Sequence, residues 1–290
     1  MQDIYTLEFA KTITQLTFCD YLNRLTLLAQ AVFHWEGLPN GINEKYIEKY
    51  LFTEGRCMFF KDFEKGWMVT KCTPEGEVNF YDEPTKLTPV ATNYTPEKKT
   101  SYINHDECAV ICNNDICAPT EPTIRLFAAR LTEVQRTADI NIIAQKTPVI
   151  VTGSEKQRLS LKAVLKAWRG DEPIIHGDKA LDGMELRTLN TAAPIVFDKL
   201  AIEKNKLWNE CMTFLGINNA NMDKRERLVD DEVQANNEQI ALSALCMLKA
   251  REDAAKEISK LCGCNVTVTM RKLHEATSAA QSAPEGGEEE

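Results

Sequence analysis

The chain has 290 residues, with 34 Lys plus Arg against 43 Asp plus Glu, a formal charge of −9, and 43% of its residues are hydrophobic. That length makes one large domain or two, and the composition excludes collagen-like and wholly disordered classes; no stretch approaches the roughly 18 to 20 apolar residues of a membrane span. The acidic balance also argues against a protein that coats nucleic acid, because duplex DNA carries about one charge per 1.7 Å and coating proteins answer it with excess Lys and Arg.

From Thr6 to Trp35 no proline or glycine interrupts the chain, and Leu22, Leu25, Leu28, Ala29, Val32 and Phe33 recur near helical spacing, which predicts a first helix ending before Gly37-Leu38-Pro39. A second, short helix is predicted from near Asn43 through Glu44 to Leu51, stopping at Gly55. The apolar runs Met58-Phe59-Phe60, Trp67-Met68-Val69 and Val78-Asn79-Phe80-Tyr81, parted by glycine and proline, read as strands. Residues 84 to 122 are proline-rich and read as irregular, with one strand at Ala109-Val110-Ile111 before the turn signal Asn113-Asn114-Asp115.

Helical texture returns from Pro122, where Ile124, Phe127, Ala128, Leu131 and Val134 share one face, and Pro148 ends it. Strands at Val149-Ile150-Val151 and Pro173-Ile174-Ile175 around a short helix from Leu159 to Trp168 make a small α/β insertion. A further helix has Thr191 as candidate cap, Pro194 in its first turn, an apolar face through Val196, Leu200, Leu207, Trp208, Cys211 and Leu215, and a stop at Gly216. Its polar side interleaves sign through Asp198, Lys199, Glu203, Lys204, Lys206 and Glu210, the pattern of a solvated face. Residues 218 to 236 hold Lys224, Arg225 and Arg227 among Asp223, Glu226, Asp230, Asp231 and Glu232 with hardly an apolar anchor, so that segment is expected to be mobile unless neighbours hold it. A long helix resumes with Asn236 and Gln239 in capping-box positions, closes at Gly263, and is followed by an edge strand at Val266-Thr267-Val268-Thr269. Beyond about Ala276 the small, polar tail that ends Glu288-Glu289-Glu290 is expected to be disordered. The fold class is therefore mainly α with smaller β parts.

Ten cysteines are many, yet the opening Met1-Gln2-Asp3-Ile4-Tyr5 lacks the basic start and cleavage site of a secretory signal, so free thiols in a reducing compartment are expected. Neither Cys108/Cys112/Cys117 near His105 nor Cys262/Cys264 before His274 has zinc-knuckle spacing, and no metal is expected. Gly153-Ser154-Glu155-Lys156 lacks the second glycine and Lys-Ser/Thr pair of a phosphate loop, and no G-x-S-x-G, H-E-x-x-H or dinucleotide fingerprint occurs. No cofactor, catalytic residue or enzymatic activity is expected.

The runs Phe197-Asp198-Lys199-Leu200, Trp208-Asn209-Glu210, Met212-Thr213-Phe214-Leu215-Gly216-Ile217, Asn219-Ala220-Asn221 and Asp231-Glu232-Val233 resemble the portal proteins of small short-tailed phages, the upper-collar, head-tail connectors of the phi-twenty-nine-like group. Phe33-His34-Trp35-Glu36-Gly37-Leu38-Pro39, Leu126-Phe127-Ala128-Ala129, Ala144-Gln145-Lys146-Thr147-Pro148-Val149 and Leu159-Ser160-Leu161-Lys162 add to the likeness, all in the same order from about residue 20 to 270.

The resemblance implies the portal fold: a homo-dodecameric ring around a channel for double-stranded DNA, placed at one capsid vertex of the virion and made in the bacterial host cytoplasm. Residues 1–122 would be the wing, with a small SH3-like β part, 123–147 and 193–217 the stem helices, and 148–192 the α/β clip. Residues 218–236 would be the channel loop, 237–276 the long wing helix and strand, and 277–290 the acidic tail. It implies roles in packaging, retention and ejection of DNA, with the major capsid and scaffolding proteins, a packaging ATPase and the lower-collar or tail proteins as partners, and no membrane. Lys199, Lys224 and Arg225 fall where the family places channel-facing basic groups, with Arg227 beside them, and Asn219, Asp223, Glu226, Asp230, Asp231 and Glu232 belong to the loop. A further channel lysine of the family falls on Asn190, three residues from Arg187. The family's basic N-terminal arm is absent, since the first ten residues hold two acids and no base, which argues against a packaging RNA as partner. The rival readings are a helical scaffold of another assembly and a Cys/His metal-binding regulatory protein.

Overall fold

The computed structural model describes residues 7–62, 64–81, 84–91, 108–145, 149–152, 185–188, 194–218 and 230–271. Helices α1 (Leu7–Gln30) and α2 (Glu44–Glu54) flank strand β1 (Phe33–Glu36); β2 (Arg56–Asp62), β3 (Gly66–Val78), β4 (Pro84–Val90) and β5 (Cys108–Cys112) follow. The long helix α3 (Glu121–Gln145) leads to β6 (Val149–Thr152) and β7 (Glu185–Thr188), then α4 (Phe197–Phe214), α5 (Asp230–Cys262) and β8 (Thr267–Met270). The chain divides into two compact units, residues 1–132 with 205–290, and residues 133–204.

The larger unit is built on an antiparallel sheet of order β4-β3-β2-β5. Strand β2 is apolar on both faces because both are covered: Cys57 and Phe59 join Ile47, Leu51, Ile111, Ala255 and Ile258 in one core, while Met58 and Phe60 join Cys72, Leu87 and Cys108 in another. Phe59 stacks on Trp67 with ring centroids 4.9 Å apart. The proline-rich segment after residue 84, expected to be irregular, supplies β4. A strand there tolerates Pro84 and Pro89 because it lies at the edge, where one side of its backbone needs no ladder partner. The run Val78 to Tyr81, expected as a strand, ends β3 at Val78 and then turns.

The first helix stops at Gln30, short of the expected Trp35, because Phe33 to Glu36 pair antiparallel with Met270 to Thr267. That partner lies over two hundred residues away and leaves no trace in local spacing. Glu44, the first residue of α2, holds the pairing in place. Its carboxylate accepts from the Trp35 backbone N–H at 2.9 Å, contacts His34 Nδ1 at 2.8 Å and pairs with Arg271 just beyond β8. Helix α2 is the one expected: the Asn43 side chain accepts from the Lys45 N–H, and Gly55 ends it at φ 77°. No other residue fits Gly55, since a Cβ there would lie 2.2 Å from the Cys117 carbonyl oxygen.

Between the sheet and α5 lies a buried ion pair. Arg251 donates to both oxygens of Glu48, at 2.9 and 2.8 Å, and also to the carbonyl of Met247 and to the backbone and side-chain oxygens of Asn113. Trp35 Nε1 donates to Glu48 at 2.8 Å, and the guanidinium lies over the Phe33 ring, 4.1 Å from its centroid. Asn113 in turn donates to Thr120 and to the Ala118 carbonyl. Both charged side chains are 3% exposed.

Four of the ten cysteines are core residues. Cys57, Cys72, Cys108 and Cys211 are buried thiols that pack as small apolar groups; burial pushes Cys72 up to about 11 and Cys211 up to about 12, so those two stay protonated. Against the free-thiol expectation, Cys112 and Cys117 are joined in a disulfide across the Asn113-Asn114-Asp115 turn, their Cα atoms 4.9 Å apart.

In the smaller unit β6 pairs antiparallel with β7, Val149 opposite Thr188 and Thr152 opposite Glu185. Residues 185–188 carried no strand signal in the sequence. The expected helix from Leu159 to Trp168 and strand at Pro173 to Ile175 lie outside the described residues, as do residues 277–290. The end of α3 and the start of α4 run antiparallel, with Asn141 Nδ2 donating to the Pro194 carbonyl and Lys204 Nζ to Gln135 Oε1, 2.9 and 2.8 Å.

Two tests follow from the buried pair and from Glu44. Arg251→Met strands an unpaired carboxylate in the core and lowers unfolding free energy by about 3–5 kcal/mol, whereas Glu48→Leu with Arg251→Met recovers most of that loss; denaturant titration reads both, and equal losses in the two proteins refute the assignment. Burial alone raises the Glu44 carboxyl, but the Trp35 N–H, His34 and Arg271 outweigh it and hold it below the ordinary 4.5. Its stabilisation is therefore complete above about pH 5 and fades as pH falls below 4.5 through the folded-state value. The difference in melting temperature between wild type and Glu44→Gln should close over that acid range; a difference constant with pH contradicts it.

Candidate functional site

The candidate basic positions fall on α4 and on the segment joining it to α5. Lys199 lies in the first turn of α4, exposed, with no ion-pair partner among the described residues. The helix was expected to open at Thr191, which lies outside the described residues; the observed helix opens at Phe197 because Pro194 to Val196 are non-helical and are held by Asn141 of α3, whose Oδ1 accepts from the Val196 N–H at 3.3 Å. The Leu200 N–H then bonds the Val196 carbonyl, the first helical bond, which places Lys199 one residue before that closure. Both partners of that anchor belong to the smaller unit.

Of the other charges on α3 and α4, several are committed locally. Arg125 pairs with Glu121 at 3.0 Å and Arg136 with Asp139 at 2.8 Å, and Lys204 is taken by Gln135. Lys206 and Arg130 are exposed like Lys199, and Asp198, Glu203 and Glu210 are exposed carboxylates on α4. The face of α4 thus alternates sign, with Ile202 68% exposed among the charges, which is more apolar than a simple solvated face. Phe197 and Ile195 are exposed at the same end.

The C-terminal end of α4 fixes where the joining segment departs. The Gly216 N–H donates to the Thr213 carbonyl and the Ile217 N–H to the Met212 carbonyl, the paired bonds of a Schellman cap, with Gly216 at φ 73°. A Cβ on Gly216 would lie 2.6 Å from the Cβ of Ala244, so the glycine is required twice, by its backbone and by the close approach of α5. The stop at Gly216 was legible in the sequence.

Asn219, Asp223, Lys224, Arg225, Glu226 and Arg227 lie outside the described residues. Asp230, Asp231 and Glu232, expected in the loop, instead open α5, six residues before the start expected from Asn236. Acidic residues at a helix start are the type that the positive end of the helix dipole favours, and that signal stands in the sequence six residues ahead of the capping-box pattern at Asn236. Arg187 lies in β7 opposite Ile150, and Asn190 is outside the described residues. The sequence reading also missed Arg251 and Glu48, 203 residues apart, which no local pattern connects.

Among the described residues no group of three or more His, Cys, Asp or Glu could hold a metal ion, and no helix is long and apolar enough to cross a membrane. The cavity lined by Phe33, Glu48, Phe52, Asn113, Leu215 and Arg251 has a volume of about 10 Å³, room for one water and no ligand.

The chain is similar in fold to a chain from the portal and tail of native bacteriophage P68, at 18% identity and a TM-score of 0.50, covering 95% of this chain and 92% of that one. Matches to an HK97-family phage portal protein from Corynebacterium diphtheriae (10% identity, TM-score 0.44, 98% and 99% covered) and to a chain in the virion of a native gene transfer agent particle (10%, 0.45, 91% and 82%) extend over similar spans. The family model of Phage Connector (GP10) matches residues 2–274, nearly the whole of the sequence, and the chain belongs to that connector family.

Proposed function

We propose that this connector forms a ring of identical chains, twelve in number, at a single capsid vertex of the virion, and that its central channel passes double-stranded DNA during packaging, retention and ejection. The family match over residues 2–274 carries this reading. A ring of one kind of chain needs a heterologous interface, in which one surface of each subunit fits a different surface of the next. The exposed leucines Leu16 and Leu27 on α1 and Leu242 and Leu245 on α5, 56% to 71% exposed, supply apolar surface of the sort such interfaces cover. The chain has no catalytic part in this scheme: a packaging ATPase, the capsid and scaffolding proteins, and the lower-collar or tail proteins are separate partners.

Within the ring, residues 1–122 and 230–276 act as the wing, 123–147 and 193–217 as the stem, 148–192 as the clip and 218–229, up to the start of α5, as the channel loop. Each chain carries −9, so the ring is acidic twelve times over and repels the phosphates it surrounds. Lys199 on the stem and Lys224, Arg225 and Arg227 on the loop form basic rings in that field. They contact whichever phosphates pass, and phosphate contacts position DNA without reading its sequence. Asp223, Glu226 and the acidic start of α5 keep those contacts weak enough for the duplex to slide.

Two measurements test the scheme. Negative-stain microscopy of the purified chain should show annular particles with a duplex-sized hole; monomers or dimers alone at high concentration would overturn it. Lys224→Ala with Arg225→Ala should leave ring assembly and DNA entry intact while filled heads lose their DNA at least tenfold faster, read by nuclease-sensitive DNA over time. A double variant that forms no rings would assign the loop to assembly instead.

A further inference from the structure

The β3–β4 hairpin runs out beyond the sheet that carries it. Thr73 to Val78 are exposed at six consecutive positions, so both faces of that length of strand stand in solvent. At its end Phe80 is 95% exposed, Tyr81 77% and Val78 59%. The tip is built rather than loose: Asn79 Oδ1 accepts from the Tyr81 N–H at 2.8 Å, Thr85 Oγ1 donates to the Glu77 carbonyl at 2.5 Å, and the two rings pack edge to face at 5.5 Å. Water gains nothing from a fixed pair of bare aromatics at the end of an exposed hairpin, whereas aromatic side chains are enriched among the anchors of protein interfaces.

Charge selects among possible occupants. Residues 75 to 86 hold Glu75, Glu77, Asp82 and Glu83 against one base, Lys86, which stands opposite Glu75 across the hairpin, so the end carries a net −3. Such a tip is repelled by DNA phosphates and by anionic lipid headgroups alike. We propose that it is a docking finger whose aromatic pair enters an apolar pocket edged by lysine or arginine on a different protein of the assembled particle. The inference rests on the connector reading for its setting, and on the hairpin alone for its chemistry. The rim acids steer the encounter and set orientation, and the rings supply the hold once inside.

The test places benzoylphenylalanine at Phe80 in the full chain, co-expressed with the capsid and scaffolding proteins of the same phage, and irradiates the assembled particles. Cross-links to a Lys- or Arg-flanked apolar peptide of another protein are expected. Phe80→Ser with Tyr81→Ser should still form rings under the microscope yet enter particles at least tenfold less often. Glu75→Lys with Glu77→Lys should lower incorporation too, and added salt should reduce the wild type towards that level. Cross-links confined to a neighbouring copy or to DNA, no cross-link in particles that contain the ring, or aromatic-dependent sedimentation with phosphatidylcholine–phosphatidylglycerol vesicles would each overturn the finger. A wild-type chain that forms no ring would overturn the connector reading, and with it the setting on which the finger depends.

Discussion

The Arg251 guanidinium is the point through which the larger unit is tied together. Its five hydrogen bonds reach α2 through Glu48, the turn after β5 through Asn113, and its own helix through Met247, while Phe33 of β1 lies under its plane. Placing two charges in a core costs several kcal/mol per ion before any attraction is counted. The arrangement persists because each remaining polar atom is answered: Trp35 donates to Glu48, and Asn113 spends its own amide on Ala118 and Thr120. Apolar packing would tolerate small slips of α5 along the sheet, but a planar fork with fixed partners on two oxygens does not. Strand β1, helix α2 and the β5 turn therefore hold one register relative to α5.

That geometry also explains where sequence reading succeeded and where it did not. Signals that act within a few residues were legible: the Asn43 cap and Gly55 stop of α2, the one-sided apolar spacing of α3, the Gly216 and Gly263 ends. What failed was set by partners far along the chain. The α1 pattern continued smoothly into Phe33 to Trp35, and only β8 makes those residues a strand. Strand β4 looked irregular because its prolines forbid a central position and say nothing against an edge. The start of α5 lies at Asp230 rather than Asn236, because the acids at 230 to 232 suit a helix N-terminus and outcompete the capping-box pattern that follows. At the candidate site the residue types were legible from the resemblance, and the anchor of Lys199 through Asn141 was not, since it pairs residues 55 apart.

The net charge meant one thing for a lone chain and another for a ring. An excess of nine acids argues against a protein that wraps DNA, because wrapping draws its affinity from releasing counterions. A conduit has the opposite requirement: each contact must be weak enough to break as the next forms. On α3 and α4 the structure commits Arg125, Arg136 and Lys204 to neighbours and leaves Arg130, Lys199 and Lys206 exposed. In the proposed channel, a net acidic ring with a few uncommitted bases would hold DNA through contacts weak enough to break.

Retention also requires that a force on the joining segment reach something that resists it. The segment leaves α4 at a Schellman cap whose glycine sits against Ala244, and it returns as the first turn of α5. Seven residues beyond Ala244 along the same helix is Arg251, bonded to α2 and to the β5 turn. In the proposed channel, tension on Lys224 or Arg225 would pass into a helix locked by a buried ion pair and a glycine contact rather than into a surface loop. The basic residues need no rigid seat of their own, because the elements on either side of them are fixed by interactions that water does not reach.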